Sequence, residues 1–306
     1  MIRSLLHVGM TVPDLEVGRA FYELFGLQAR ACGNDMVFRC EGRDQDQIRL
    51  MQGPRKRLSY VALGTNEAGM RVLTQKLGQA GVALQPAPFK VPFGGIWFQD
   101  PHGDWLNVQV AEPAPVMAPL PPEINAHGRY RRKGRACGLE TRGKKARPLR
   151  LGHLIKFSPD VIESTRFYTE VLGMKVSDKS LDVLAFLRGS AGGDHHMVAF
   201  AKSTHTGLHH LSFEVSDLDE IELGAQTLLR AGYRDAFGLG RHVGGSNYFH
   251  YVRDPWNSLA EYFWDIDVIP EDDSGWVPFN VPPDELTAVW ASSPPPPDFI
   301  VNFEEP

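Results

Sequence analysis

The chain repeats itself, and this repeat limits its possible folds more than any other feature. With residue 7 set against residue 153, His7 falls on His153, Pro13-Asp14 on Pro159-Asp160 and Phe21-Tyr22 on Phe167-Tyr168, while Gly26 falls one residue short of Gly173. A further unit opens at Leu58-Ser59-Tyr60 and at Leu208-His209-His210, with an acidic residue, Glu67 or Asp217, seven places after Tyr60 or His210. His7 to Asp14 and His153 to Asp160 keep that interval, so His210 rather than His209 is in register. The last strand pair repeats as well: Asp100-Pro101 leads to Asn107 and Asp254-Pro255 to Glu261, seven residues after the Asp in both cases. Asp-Pro reads as a hairpin turn. Self-similarity of this kind marks a fold assembled from copies of one supersecondary unit.

Each unit begins with a short apolar strand and turns at an acidic residue into a helix, which in the first and third units carries Phe-Tyr and stops at Phe-Gly or Leu-Gly. The best example is 161–172, where Ile162, Phe167 and Val171 are apolar and Gly173 reads as the C-terminal cap. Further strands follow at 183–187 and 196–200. The prediction is an α+β fold of four βαβββ modules, at about 1–52, 56–112, 149–202 and 206–268, paired into two open barrel-like domains. A length of 306 residues suits two such domains. The expected division is a structural N-terminal domain over 1–112, a Pro-rich then basic linker over 113–148, a catalytic C-terminal domain over 149–268, and an aromatic, Pro-rich tail over 269–306. The linker reads as a solvated connection, and the tail as either a lid or a subunit contact.

A formal charge of −5 gives no ground for general nucleic-acid binding. Three cysteines (Cys32, Cys40, Cys137) without CxxC spacing support neither a disulfide framework nor a zinc ribbon, which points to a reducing compartment. The N-terminus lacks a signal-peptide pattern and no segment nears the length of a membrane span, so the expectation is a cytoplasmic protein with no membrane contact.

Equivalent positions on paired strands converge on one face, and the repeat puts His153, His210 and Glu261 at three such positions. Any one of them alone reads more simply as a core histidine or a surface carboxylate. Together they make a metal site, because two imidazoles and a carboxylate on one face of a divalent ion leave open positions opposite, as in non-haem Fe²⁺ oxygenases. The matching N-terminal residues are His7, Tyr60 and Asn107, which lack the second imidazole and the carboxylate, so that half is expected to be metal-free. Adjacent residues on a strand point opposite ways, so only one of His195 and His196 can face the metal. His196, which leads into Met197-Val198-Ala199-Phe200, is the choice. His242 and Tyr251 precede Glu261 as further proton-handling groups. His205, His209 and His250 receive no role, and His102 and His127 read as loop residues.

These residues resemble the type I extradiol (ring-cleaving) dioxygenases of the vicinal oxygen chelate superfamily, the group of catechol and dihydroxybiphenyl dioxygenases. The likeness spans about 1–268 and rests on the His153, His210, Glu261 order together with Gly240-Arg241-His242, Tyr251 and Asp254-Pro255. It implies Fe²⁺ as cofactor, with Mn²⁺ accepted by the same ligands. It also implies a small aromatic diol and O₂ as partners, and opening of the ring beside rather than between the two hydroxyls. Under the resemblance His196 is the acid–base group, and His242 and Tyr251 position substrate and oxygen; a homo-oligomer is expected. His250 departs from the family pattern, which bears on pocket shape. A glyoxalase-type isomerase or a hydroxyphenylpyruvate-type dioxygenase would share the scaffold, but such isomerases carry four ligands. A ligand-sequestering resistance protein would need neither the metal nor His196. Alkyl, biphenyl-type and carboxylated catechols all stay open as substrates, since Arg188, Arg241 and Arg253 could meet an anion.

Overall fold

The computed structural model describes residues 1–116 and 119–305. Its first half contains β1 (Ser4–Val12), α1 (Leu15–Phe25), β2 (Gln28–Cys32), β3 (Asp35–Arg39) and β4 (Ile48–Gln52), then β5 (Arg57–Thr65), α2 (Glu67–Gln79), β6 (Ile96–Gln99) and β7 (Trp105–Val110). After a short helix α3 (Cys137–Thr141) come β8 (Arg150–Ser158), α4 (Val161–Glu170), β9 (Lys175–Ser180), β10 (Leu184–Arg188), β11 (Gly193–Asp194) and β12 (Val198–Lys202). The last module is β13 (Gly207–Glu214), α5 (Leu218–Arg230), β14 (Asp235–Arg241), β15 (Tyr248–Arg253) and β16 (Leu259–Trp264), followed by β17 (Val268–Ile269), α6 (Pro283–Leu286) and β18 (Trp290–Ala291).

The recurring acidic positions begin helices. Asp14, Asp160 and Asp217 are N-caps whose carboxylates accept backbone N–H bonds from Glu16 and Val17, from Glu163 and from Glu220. These bonds satisfy donors that the first helical turn leaves unpaired. In the second module the cap is Asn66, one residue before the expected Glu67, because an amide oxygen accepts as readily as a carboxylate. Gly26 closes α1 in the left-handed conformation at φ 109°. α4 ends at Glu170 with Val171 as its cap, earlier than expected, and Gly173 turns the chain at φ 70°.

In every module the first strand runs parallel to the last, as β1 with β4, β5 with β7, β8 with β12 and β13 with β16. Modules join in pairs through antiparallel first strands, β1 with β5 and β8 with β13. The results are a seven-stranded sheet, β2-β3-β4-β1-β5-β7-β6, and a nine-stranded sheet, β18-β14-β15-β16-β13-β8-β12-β10-β9. The second module departs from the βαβββ pattern, since its first post-helix strand shrinks to one bridge between Gln85 and Trp97. Pro86, Pro88 and Pro92 lie just beyond and have no N–H to continue a ladder. Both Asp-Pro turns close in the same way. Asp100 Oδ1 accepts from the N–H groups of His102 and Asp104 at 3.0 Å each, and Asp254 Oδ1 from Trp256 at 2.8 Å and Ser258 at 3.0 Å.

The repeated Phe-Tyr pairs, Phe21-Tyr22 and Phe167-Tyr168, are buried. Across the two halves α1 packs on α5, and Phe25 stacks on Tyr262 at 4.0 Å. Lys156 of β8 is buried 2.8 Å from Asp100 and 2.7 Å from Asp104. Burial alone would lower its pKa, but the two carboxylates reverse that and raise it well above the usual lysine value. The tail joins the C-terminal sheet, where β18 pairs with β14. Its end is pinned by the buried Glu304 carboxylate, which accepts from Lys56 Nζ at 2.7 Å, Leu58 N–H at 3.0 Å and Leu208 N–H at 3.1 Å. Among the described residues no helix is long and apolar enough to cross a membrane.

Candidate metal centre and active site

Strand register brings the three in-register residues together. Ser212 of β13 lies opposite His153 on β8 and Glu261 on β16, and His210 is two residues from Ser212 on the same strand, hence on the same face. All three side chains are buried, and one ligand atom from each lies within 4.8 Å of the others. His153 Nε2 stands 3.1 Å and His210 Nε2 3.4 Å from the same oxygen, Glu261 Oε2. Ligands bonded to one ion at about 2.0–2.2 Å and at right angles stand roughly 3 Å apart, so these spacings suit a shared cation. His210 Nε2 supports that fit, because it is buried without a hydrogen-bond partner among the described residues. Burial would raise the Glu261 pKa, yet the His153 and His242 imidazoles beside it hold it well below the usual carboxylate value. Burial, more than any neighbour, pushes His210 well below the usual imidazole value, which keeps its lone pair available. Gly152 leaves room for Phe263 behind His153, since a Cβ there would sit 2.4 Å from that ring.

Around this centre lie the other residues expected from sequence. His196 packs on His153 with ring centroids 4.1 Å apart. Neither His195 nor His196 is on β12, which begins at Val198, so strand alternation does not decide between them. Hydrogen bonding separates their positions: His195 Nε2 is 2.6 Å from Asp178 and His195 Nδ1 2.9 Å from His196 Nδ1, with His196 on the cavity wall. His242 donates from Nδ1 to the Thr287 carbonyl at 2.7 Å, which leaves Nε2 to accept the Tyr251 hydroxyl at 2.8 Å. Tyr251 has a pKa well above the ordinary phenol value, chiefly through burial and then through Glu261, and so remains a donor.

Sequence reasoning missed several neighbours. Asn247 donates to Glu261 Oε1 at 3.3 Å. His209, left without a role, lines the cavity beside His210, because a register shift between Leu208 and His210 interrupts strand alternation at that point. His250 is corrected in the other direction. It points at α5 and β14, bonded to Glu222 at 2.9 Å and Asp235 at 3.0 Å, and leaves the pocket shape to others. Arg188, Arg241 and Arg253 pair with Asp273, Asp265 and Asp298 and do not line the cavity. Its volume is about 680 Å³, and much of its wall comes from the tail, including Leu286, Pro295 to Pro297, and Phe299.

The matching N-terminal residues are otherwise engaged. His7 packs on Tyr60 and Phe93 at 5.6 and 4.7 Å, and Asn107 donates to the Gly94 carbonyl at 3.2 Å.

Residues 150–262 match the family model of the Glyoxalase/Bleomycin resistance protein/Dioxygenase superfamily. Metapyrocatechase 2 of Cupriavidus necator is 36% identical over 271 residues, covering 88% of this chain and 83% of that protein. Biphenyl-2,3-diol 1,2-dioxygenase of Paraburkholderia xenovorans (strain LB400) is 26% identical over 291 residues, covering 90% and 91%. The Mn(II)-bound glyoxalase from Novosphingobium aromaticivorans superposes with a TM-score of 0.78 at 25% identity, over 97% of this chain and 93% of that one. In fold the chain also matches 2,2',3-trihydroxybiphenyl 1,2-dioxygenase from Sphingomonas wittichii strain RW1, with a TM-score of 0.72 at 20% identity, over 96% and 99%. The chain belongs to the extradiol dioxygenases of this superfamily.

Proposed function

We propose that this extradiol dioxygenase holds Fe²⁺ on His153, His210 and Glu261 and, with O₂, opens the ring of an uncharged catechol carrying an apolar substituent. The observation that carries the reading is the buried donor triad opening into a large apolar cavity. Its volume falls in the range of sites for drug-sized ligands, about 300–1,000 Å³, which leaves space beyond a single ring. Ile155, Val183, Leu184, Phe186 and Leu286 line that space. The cations of the wall reduce to Lys202, which is paired with Asp182 at the surface, so nothing here favours a carboxylated substrate.

When bound, the metal supplies a Lewis acid and a template for diol and O₂. The chain's own residues handle protons and charge. His195 donates from Nε2 to Asp178, so its Nδ1 accepts from His196 Nδ1–H, and His196 is left with a free lone pair on Nε2. Burial, more than the neighbouring histidines, pushes the His196 pKa well below the usual value, and its unpaired Nε2 on the cavity wall is the atom that can take a hydroxyl proton from the substrate and return it. Tyr251, kept protonated, can turn its hydroxyl from His242 to a developing oxyanion.

Manganese is the competing metal, and the fold neighbour from Novosphingobium aromaticivorans holds it. Anaerobic reconstitution with each ion, followed by a panel of alkyl, aryl and carboxylated catechols, separates the choices. Iron-dependent yellow ring-opened product from the apolar catechols is the expected result; preference for a carboxylated catechol, or activity with manganese alone, would overturn the corresponding part.

A further inference from the structure

The wall that the tail builds also reaches the metal ligands. The Nδ1 atoms of His209 and His210 lie 2.7 Å apart, and His209 Nε2 lies 2.9 Å from the carbonyl oxygen of Phe299, a residue 90 positions away. A carbonyl can only accept, so His209 Nε2 carries a hydrogen and donates it. The neutral ring then has its lone pair on Nδ1, which accepts from His210 Nδ1–H. His210 is left with its lone pair on Nε2, the nitrogen that faces Glu261 Oε2 at 3.4 Å. His153 has no such backing, because its Nδ1 is without a hydrogen-bond partner among the described residues.

The carbonyl at the start of this chain is held in place. The Phe299 ring packs on His209 at 5.1 Å and on Phe237 and Tyr251 at 5.2 Å each. Beyond it, buried Glu304 ties the tail to β5 and β13 through Leu58 and Leu208.

We propose that His209 is a positioning residue that relays the Phe299 carbonyl to His210, holding His210 in the tautomer that offers Nε2 to the metal and so coupling tail docking to metal retention. The proposal rests on His153, His210 and Glu261 being the ligand set. Outer hydrogen bonds of this kind fix ring orientation and typically matter by 10–100-fold in metal affinity. An unrestrained neutral imidazole would spread its hydrogen over both nitrogens, and part of the population would present a blocked Nε2.

The test is the affinity for Fe²⁺ alone, measured anaerobically by competition with a chelator, with thermal unfolding of each metal-free variant as the check on folding. His209→Leu removes both hydrogen bonds while keeping apolar bulk, and should weaken Fe²⁺ binding roughly 10–100-fold. His209→Asn places an amide oxygen where Nδ1 stood, an acceptor for His210 that needs no tail, and should restore affinity. Phe299→Ala, which loosens the carbonyl, should weaken binding in the parent but not in the His209→Asn background. A folded His209→Leu that binds as tightly as the parent would overturn the relay. So would His209→Asn as weak as His209→Leu, or an equal loss from Phe299→Ala in both backgrounds. Glu261→Ala run alongside separates the two readings: if it also keeps its iron, the ligand set fails rather than the relay.

Discussion

Two histidines around this site are divided atom by atom, with Nδ1 committed to the scaffold and Nε2 facing the site. His242 spends Nδ1 on Thr287 and His196 spends Nδ1 on His195. His196→Phe should therefore keep the metal and the cavity but slow turnover by roughly 10²- to 10⁴-fold, the scale of lost acid–base catalysis. Steady-state oxygen uptake with metal analysis checks this; a variant that loses its iron would make His196 a ligand, and one that turns over normally would remove its role. Asp178→Asn should slow turnover in the same direction by a smaller factor, since Asp178 acts on His196 only through His195. The positions of His153, His210 and Glu261 were legible because the repeat fixes strand register, and register fixes which face a side chain occupies. Asn247, Asp178 and His209 were not, because their parts depend on contacts from other strands and from the tail, and at His209 on an irregularity that no alternation rule anticipates.

At the scale of elements, β15 works on both of its faces. Tyr251 looks into the cavity, while His250 clamps α5 to β14 through Glu222 and Asp235. Burial works to lower the His250 pKa, but the two carboxylates outweigh it and raise the pKa above the usual 6.5. A base with a raised folded pKa stabilises fully below its unfolded pKa and loses that contribution as pH rises through the folded value. His250→Phe should thus be most destabilising below the usual imidazole pKa, with the difference from the parent shrinking as pH rises through the raised value, as read by urea unfolding. A difference that does not change with pH would contradict the clamp. Asp217→Ala, which removes the cap of α5, should cost about 1 kcal/mol in the same assay. Helix starts were legible in this way because caps are local chemistry. The tail was not: β18 is two residues long, and the proline run at 294–297 carries no periodicity, so only its packing partners reveal where it lies.

The whole molecule is a duplicated scaffold in which one copy carries the donor triad. The four-module plan could be read from sequence because the same turns, caps and Phe-Tyr pairs recur, each for a local physical reason. The meeting of the halves through Lys156 with Asp100 and Asp104, and through Phe25 with Tyr262, could not, since neither contact leaves a periodic trace. The two copies should also differ in what they tolerate. His7→Gln and Asn107→Gln disturb packing and local hydrogen bonds far from the donor triad, and should lower stability by about 1 kcal/mol while leaving iron content and turnover near the parent's. Equal loss of turnover from this pair in folded protein would reveal a second functional site. The most direct measurement is the iron content per chain of anaerobically reconstituted parent and Glu261→Ala protein, each shown to be folded. One iron per chain is expected in the parent and little in the variant, because two neutral imidazoles alone leave the ion's charge uncompensated. Full iron occupancy in Glu261→Ala would contradict it.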